Sequence, residues 1–167
     1  MVKIAPSILA ADLMDMKNEI KLVDANGADY IHIDVMDGHY VNNIAFGPNM
    51  VKSMRPHTKK ILDVHLMISP VKKFVDEFIA AGADIISFHP DADKNSRDIL
   101  NQIKSANCKA GIAIHPKVSI NEIVSFLDLI DIVIVMTVVP GFGGQKFMQS
   151  EVNKIIELSK IRKKRNL

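Results

Sequence analysis

The stretch "HIDVMDGHY", residues 32–40, sets His32, Asp34 and Asp37 within six positions of what otherwise reads as a buried strand, and "ILDVHLM" (61–67) carries Asp63 and His65. Side chains alternate between the two faces of a strand. His32, Asp34 and Met36 therefore share one face, leaving Ile31, Ile33 and Val35 for the other, and Asp63, His65 and Met67 share one face of the second segment. As neighbours in a parallel sheet, the two segments present His-Asp-Met beside Asp-His-Met. Two imidazoles and a carboxylate form a donor set for a divalent cation, Zn²⁺ ahead of Fe²⁺ and Mn²⁺, with positions left for substrate or water. A buried carboxylate without a partner is costly, and a cation at this place lets Asp34 stay ionised. Either histidine alone reads as a hydrogen-bonded core residue; the pair at matching depth with Asp34 tips the reading toward metal.

A second segment, "VMTVVPGFGGQKF" (135–147), has Gly141, Gly143 and Gly144 between a strand and a helix. Such a loop can turn backbone N–H groups toward an anion and can act as a lid with glycine hinges. Other polar residues take lesser parts. Asp37, before Gly38, reads as a turn residue, and Asp63 as a buried hydrogen-bonding group. His39 and His57 read as surface residues, while His89 and His115, each followed by proline at a strand end, face the rim of the site. Met36, Met67 and Met136 fall at strand C-termini, as core filling or as a soft lining for an unstable anion. Cys108, the single cysteine, has no internal disulfide partner and reads as structural.

What must position these groups is an alternation of elements. Strand patterns cover Lys3 to Leu9, Tyr30 to Met36, Ile61 to Met67, Ile85 to His89, Ala110 to Ile114 and Ile132 to Thr137; helical patterns cover Asp12 to Ala25, Pro48 to Met54, Pro70 to Ala81, Asn95 to Ala106, Ile120 to Leu127 and Ser150 onward. "ANGADYIHID" (25–34) repeats as "AAGADIISFHP" (80–90), and "LDLIDIVIVM" (127–136) is a looser copy without the glycine. Strands apolar on both faces and separated by helices call for a parallel sheet under helices. A doubly wound dinucleotide fold carries a Gly-rich turn after its first strand, and "APSILAADL" has none, so the expected fold is α/β of the (β/α)8 TIM-barrel class. About six of its βα units are present in residues 1–167, a single domain expected to lack the last two. An open arc of six strands exposes unpaired backbone at its edges; an open six-unit sheet and completion by a partner chain are the alternatives.

Composition is that of a soluble globular domain: 48% hydrophobic and 24% charged residues in 167. No apolar run approaches the ~20 residues of a membrane span, and no secretory pattern follows Met1, so a cytoplasmic protein is expected. The net charge of +2 is uneven, because Lys154 to Leu167 holds six basic residues against one acidic. Val152, Ile155, Ile156, Leu158 and Ile161 are spaced as one helix face there, so the charges read as a solvated outer face and not as a nucleic-acid or membrane contact.

"APSILAAD", "HIDVMDGHYVNN" followed by "FGP", "DVHLM", "SFHP" and "VVPGFGGQKF" closely resemble, in order and spacing, the ribulose-phosphate 3-epimerase family of β/α barrels in the pentose phosphate pathway. The resemblance runs over the whole chain and implies interconversion of D-ribulose 5-phosphate and D-xylulose 5-phosphate through an enediolate, with two aspartates on opposite faces of the substrate and a bound divalent metal. By that resemblance His32, Asp34 and His65 are the metal ligands and Asp34 is also a catalytic acid/base. Ser7, His65, Met36, Met67 and Met136 contact substrate, and Gly141, Phe142, Gly143 and Gly144 form a phosphate-contacting loop. A homo-oligomer, dimer or hexamer, is implied too. There are departures: the second aspartate, in a seventh-strand "DGG" motif, and the eighth-strand phosphate loop are not among these residues. His115 stands where the family has Asn, and Asn42 where it has Pro. An allulose 6-phosphate 3-epimerase is the sister alternative. A phosphate-binding lyase or decarboxylase barrel is disfavoured because His65 stands where such enzymes carry lysine, and the 167-residue chain by itself is expected to be slow or inactive.

Overall fold

The computed structural model describes residues 2–166. Six strands form one sheet: β1 (Tyr30–Asp37), β2 (Ile44–Ala45), β3 (Ile61–Met67), β4 (Ile85–Phe88), β5 (Lys109–Ile114) and β6 (Ile132–Val135), in the order β2-β1-β3-β4-β5-β6. All neighbouring pairs are parallel except β1 with β2. The helices are α1 (Met16–Ala25), α2 (Pro48–Met54), α3 (Val75–Ala80), α4 (Ser96–Ser105) and α5 (Val152–Arg165). This is an α/β fold with a largely parallel sheet, the architecture of part of a β/α barrel.

Period two decides which residues meet the helices. Ile31, Ile33 and Val35 of β1, Leu62, Val64 and Leu66 of β3, Ile86 and Phe88 of β4, and Ala110, Ile112 and Ile114 of β5 are all nearly solvent-free and join one apolar cluster with helix residues such as Ile20, Phe78, Ile99 and Ile103. Each large aliphatic side chain buried in that layer contributes about 1.5–3 kcal/mol. The opposite face carries the row Asp34, His65, Ser87, Gly111 and Ile132 through the strand registers. A Cβ at Gly111 would lie 2.6 Å from Ile132 Cγ2 and 2.8 Å from Ser87 Cβ, so only glycine lets that inner layer close.

The repeated Gly-Ala-Asp has a mechanical purpose. Gly27 and Gly82 take left-handed φ values of 89° and 98° after α1 and α3, and the aspartate that follows reaches back to the start of the preceding strand position. Asp29 Oδ2 accepts from Ile4 N, Asp84 Oδ2 from Leu62 N, and in the looser copy Asp131 Oδ2 accepts from Ala110 N. Each carboxylate thus ties one strand's entry to its neighbour's.

Several expected elements differ. Lys3 to Leu9 is not a regular strand: it meets β1 through a single bridge, Ser7 to His32, and the bonds from Asp29 N and Tyr30 N to Ile4 O and from His32 N to Pro6 O. Pro6 has no N–H to give, and residues 2–5 are exposed. The strict alternation is broken by β2, a two-residue antiparallel strand on β1. Ile120 to Leu127 forms two short 3₁₀ turns, Ile120–Glu122 and Val124–Phe126, and not a helix; the same apolar spacing serves either. The helix expected over Pro70 to Ala81 begins only at Val75, after cis Pro70 and a turn. The apolar face of α5 is only partly covered, Ile155 being 45% and Ile156 48% exposed, and β6 is the last strand of the sheet among the described residues.

Candidate metal centre and active-site mouth

The β1–β3 register sets His32 opposite Asp63, Asp34 opposite His65 and Met36 opposite Met67, so the expected inner face forms as read. His32 Nε2 lies 3.4 Å and His65 Nδ1 3.3 Å from Asp34 Oδ1, and one donor atom from each of the three residues falls within 4.8 Å of the others. Donor atoms around a four-coordinate ion with bonds of about 2.0–2.1 Å lie roughly 3.3–3.4 Å apart. These two separations match that edge, and the third lies within 4.8 Å, so the donor set of the three residues fits a divalent cation.

The other atoms of the trio are held in place. His32 Nδ1 pairs with Asp63 Oδ2 at 2.8 Å, which confirms Asp63 as a buried hydrogen-bonding group; Asp63 Oδ1 has no partner among the described residues. Ser7 Oγ donates to Asp34 Oδ2 at 2.6 Å while accepting from Leu9 N, so the first extended segment supplies a contact to the carboxylate. Burial opposes ionisation of Asp34, yet hydrogen bonds from His32 and His65 outweigh it and hold the carboxyl well below the usual carboxylate range. Burial likewise pulls His32 down, but its bonds to Asp34 and Asp63 prevail and raise it to about 10. His65 is pushed down, chiefly by burial.

His89 corrects the expectation of a rim residue. It is fully buried, its Nε2 3.0 Å from His65 Nε2 and its ring stacked on Tyr40 at 4.7 Å. The following Pro90 opens a 3₁₀ turn with His89 as its N-cap, and nothing local in "SFHP" marks the burial. Burial, with His65 and His115, pushes His89 down to about 2 against a weaker pull from the Ala113 backbone. His115 does lie at the rim, its ring centroid 6.5 Å from that of His89. His39 and His57 are exposed, as expected. Asp37 serves the turn and more: Oδ1 accepts from His39 N and Oδ2 from Ser69 N, tying the loops after β1 and β3.

Met36 and Met67 are buried together in a small cluster with Val41 beside the trio, whereas Met136 is half-buried outside that cluster. The glycine loop folds back against the loop after β1. Asn43 Nδ2 donates to Gly141 O at 2.8 Å, and a Cβ on Gly141, whose φ is 120°, would touch Val41. Gln145, not singled out in the sequence, pins the loop by donating to Val139 O and Phe142 O. Between these loops opens a cavity of ≈ 520 Å³ lined by Tyr40, Asp91, His115, Lys117, Phe142 and Gln145 among others. None of His32, Asp34 and His65 lines it. Phe142 is 58% exposed, and Gly143 has open space where a Cβ would stand. Cys108 is buried with its thiol pushed up to about 12 by burial and then by Asp84, the state of an inert structural cysteine.

Comparison with known proteins agrees with this geometry. The chain is 48% identical to the ribulose-phosphate 3-epimerase of Rhodobacter capsulatus over 92% of its own length and 68% of the relative's. It is 47% identical to that of Bacillus subtilis over 96% and 74%, and 44% identical to the chloroplastic enzyme of Arabidopsis thaliana over 95% and 57%. Among solved structures, Yersinia pestis DHPS with a pterine-sulfa conjugate overlays with a TM-score of 0.61 at 13% identity, covering 96% of this chain and 67% of that one; this likeness is one of fold. The Ribulose-phosphate 3 epimerase family matches residues 3–167, and the chain belongs to that family.

Proposed function

We propose that this chain carries the metal-holding, proton-transferring part of an epimerase that interconverts D-ribulose 5-phosphate and D-xylulose 5-phosphate at C3. The observation that carries the reading is the convergence of His32 Nε2, Asp34 Oδ1 and His65 Nδ1 around one point. A proton α to a ketone is a weak acid, so its removal near neutral pH needs a base within hydrogen-bond reach and strong stabilisation of the oxygen charge that develops. A divalent cation, Zn²⁺ ahead of Fe²⁺ and Mn²⁺, supplies Lewis-acid stabilisation of that charge when bound. His32, Asp34 and His65 would hold it. Asp34 is the base: without a cation the two imidazoles keep its carboxyl ionised, a bound cation would take over that role, and the Ser7 hydroxyl at 2.6 Å fixes the rotation of its carboxylate. Met36 and Met67 exclude water beside it, with Met136 completing the lining. The backbone of Gly141, Phe142, Gly143 and Gly144 receives the phosphate at the mouth.

Residues 1–167 are, on this reading, one β/α-barrel domain of which these are about six units, working in the cytoplasm as part of a homo-oligomer. No helix among the described residues is long and apolar enough to cross a membrane. A lyase or decarboxylase relying on a strand-end lysine is a poor fit, since position 65 is a histidine with Nδ1 turned to Asp34.

The test is solvent exchange at C3. With ribulose 5-phosphate in deuterated buffer and Zn²⁺ or Mn²⁺ present, deuterium is expected to enter C3, and Asp34→Asn is expected to slow that entry by about 10² to 10⁴. Exchange indifferent to Asp34, or exchange unaffected by a chelator, sinks the proposal.

A further inference from the structure

His65 is engaged at both ring nitrogens. Nδ1 faces Asp34 Oδ1 at 3.3 Å and Nε2 faces His89 Nε2 at 3.0 Å. Two neutral imidazole nitrogens at that distance share one proton, so one must donate and the other accept. If His89 donates, the His65 proton sits on Nδ1, between the ring and Asp34, and closes the only His65 nitrogen that faces the trio. If His65 donates from Nε2, its Nδ1 lone pair is free toward Asp34 Oδ1 and His32 Nε2, and His89 keeps its own proton on Nδ1, a buried atom with no hydrogen-bond partner among the described residues.

The surroundings leave His89 little choice of position. It is fully buried and stacked on Tyr40 with an interplanar angle of 26°. Tyr40 is itself tethered by its hydroxyl to Asp91 Oδ1 at 3.1 Å, and the edge of His115 approaches from the other side. The register that sets His65 opposite Ser87 holds β4 against β3 just before His89, so the two rings cannot drift apart.

We infer that His89 is a positioning residue of the cation site: its Nε2 accepts the His65 Nε2–H and so holds His65 in the tautomer whose Nδ1 can ligate. This rests on the metal reading above. His89 touches neither the cation nor the substrate; it acts through His65, as hydrogen-bond partners behind ligating histidines do.

The test compares His89→Gln, whose side-chain carbonyl can take the acceptor's place, with His89→Leu, which fills similar space and accepts nothing. Zn²⁺ dissociation constants are measured on each by competition with a chromogenic chelator. The ring protons of His65 are located in the Zn²⁺-loaded protein by long-range ¹H–¹⁵N correlation. Wild type and His89→Gln are expected to bind within about threefold of each other, with the His65 proton on Nε2, and His89→Leu about 10- to 100-fold more weakly. Equal affinity in His89→Leu, or a loaded wild type with the His65 proton on Nδ1, overturns the inference while leaving the cation site standing. Failure of wild type to bind Zn²⁺, Mn²⁺ or Fe²⁺ at all removes the site itself. If His89→Leu does not fold, the tautomer in wild type and the affinity of His89→Gln decide alone: a His89→Gln protein that folds and binds 10-fold or more weakly overturns the claim that an acceptor suffices.

Discussion

His32 and Asp63 face each other across β1 and β3, and their side chains meet at 2.8 Å between Nδ1 and Oδ2. On the proposed cation reading, that bond leaves Nε2 as the free nitrogen of His32. With Nδ1 turned to the carboxylate, Nε2 is the atom aimed at Asp34. Asp63→Ala is therefore expected to weaken divalent-metal binding by about 10- to 100-fold, whereas Asp63→Asn, which keeps an acceptor, is expected to lose less. Chelator competition on the folded variants checks this. Unchanged affinity in Asp63→Ala means that packing alone orients His32.

Asp37 gives a pH signature outside the metal ligands. Burial works against its ionisation, but the backbone N–H groups of His39 and Ser69 prevail and hold the carboxyl below its ordinary range. Its folded pKa thus lies below the unfolded value of about 3.9. The stabilisation is present above that value and is lost as pH falls through the folded one. Asp37→Asn is expected to cost about 1–2 kcal/mol at pH 7, with the difference from wild type shrinking below about pH 4. Urea unfolding at pH 7, 5 and 3 measures it, and a gap that persists undiminished at pH 3 contradicts the assignment.

Gly111 tests the inner layer. A methyl there would press on Ser87 Cβ and Ile132 Cγ2, both in the row that contains His65. Gly111→Ala is expected to destabilise by about 1–3 kcal/mol through overpacking, read from denaturant midpoints. A neutral result means that β5 and β6 can separate at no cost, and that the open edge at β6 is soft.

The site was more legible than the fold around it. His32, Asp34, Asp63 and His65 fall on one face because the other face of β1 and β3 is aliphatic from Ile31 to Val35 and from Leu62 to Leu66, and period two leaves no second arrangement. Lys3 to Leu9 looked equally strand-like, but pairing depends on neighbours on both sides, and Pro6 and an open outer edge are facts of tertiary context. Ile44–Ala45 is too short to show any periodicity. The aspartates 29, 84 and 131 stood out as a repeat, yet that each would accept a backbone N–H from the strand before it needs the turn geometry to be seen. His89 differs most from its sequence reading: a strand-end histidine before proline looks like a rim residue, and it is buried by tertiary contacts with His65, with His115 and with Tyr40 from the loop after β1.

Inversion at a stereocentre needs proton donors on both faces of the carbanion, and Asp34 reaches one. The aspartate that the family resemblance expects for the other face belongs to a strand outside residues 1–167, so the polypeptide with these residues alone has a distinctive expected behaviour. Asp34 can remove the C3 proton and return one from the same side, which exchanges the proton without changing the configuration. Deuterium should therefore enter C3 of ribulose 5-phosphate faster than xylulose 5-phosphate accumulates. Interconversion should run at least 100-fold slower than in the Bacillus subtilis relative, since the loss of one acid/base group costs about 10² to 10⁴. Mass spectrometry of recovered substrate beside a coupled assay for the epimer separates the two rates. If exchange and inversion keep pace, a second acid within these residues must serve the opposite face, and the single-base assignment of Asp34 fails.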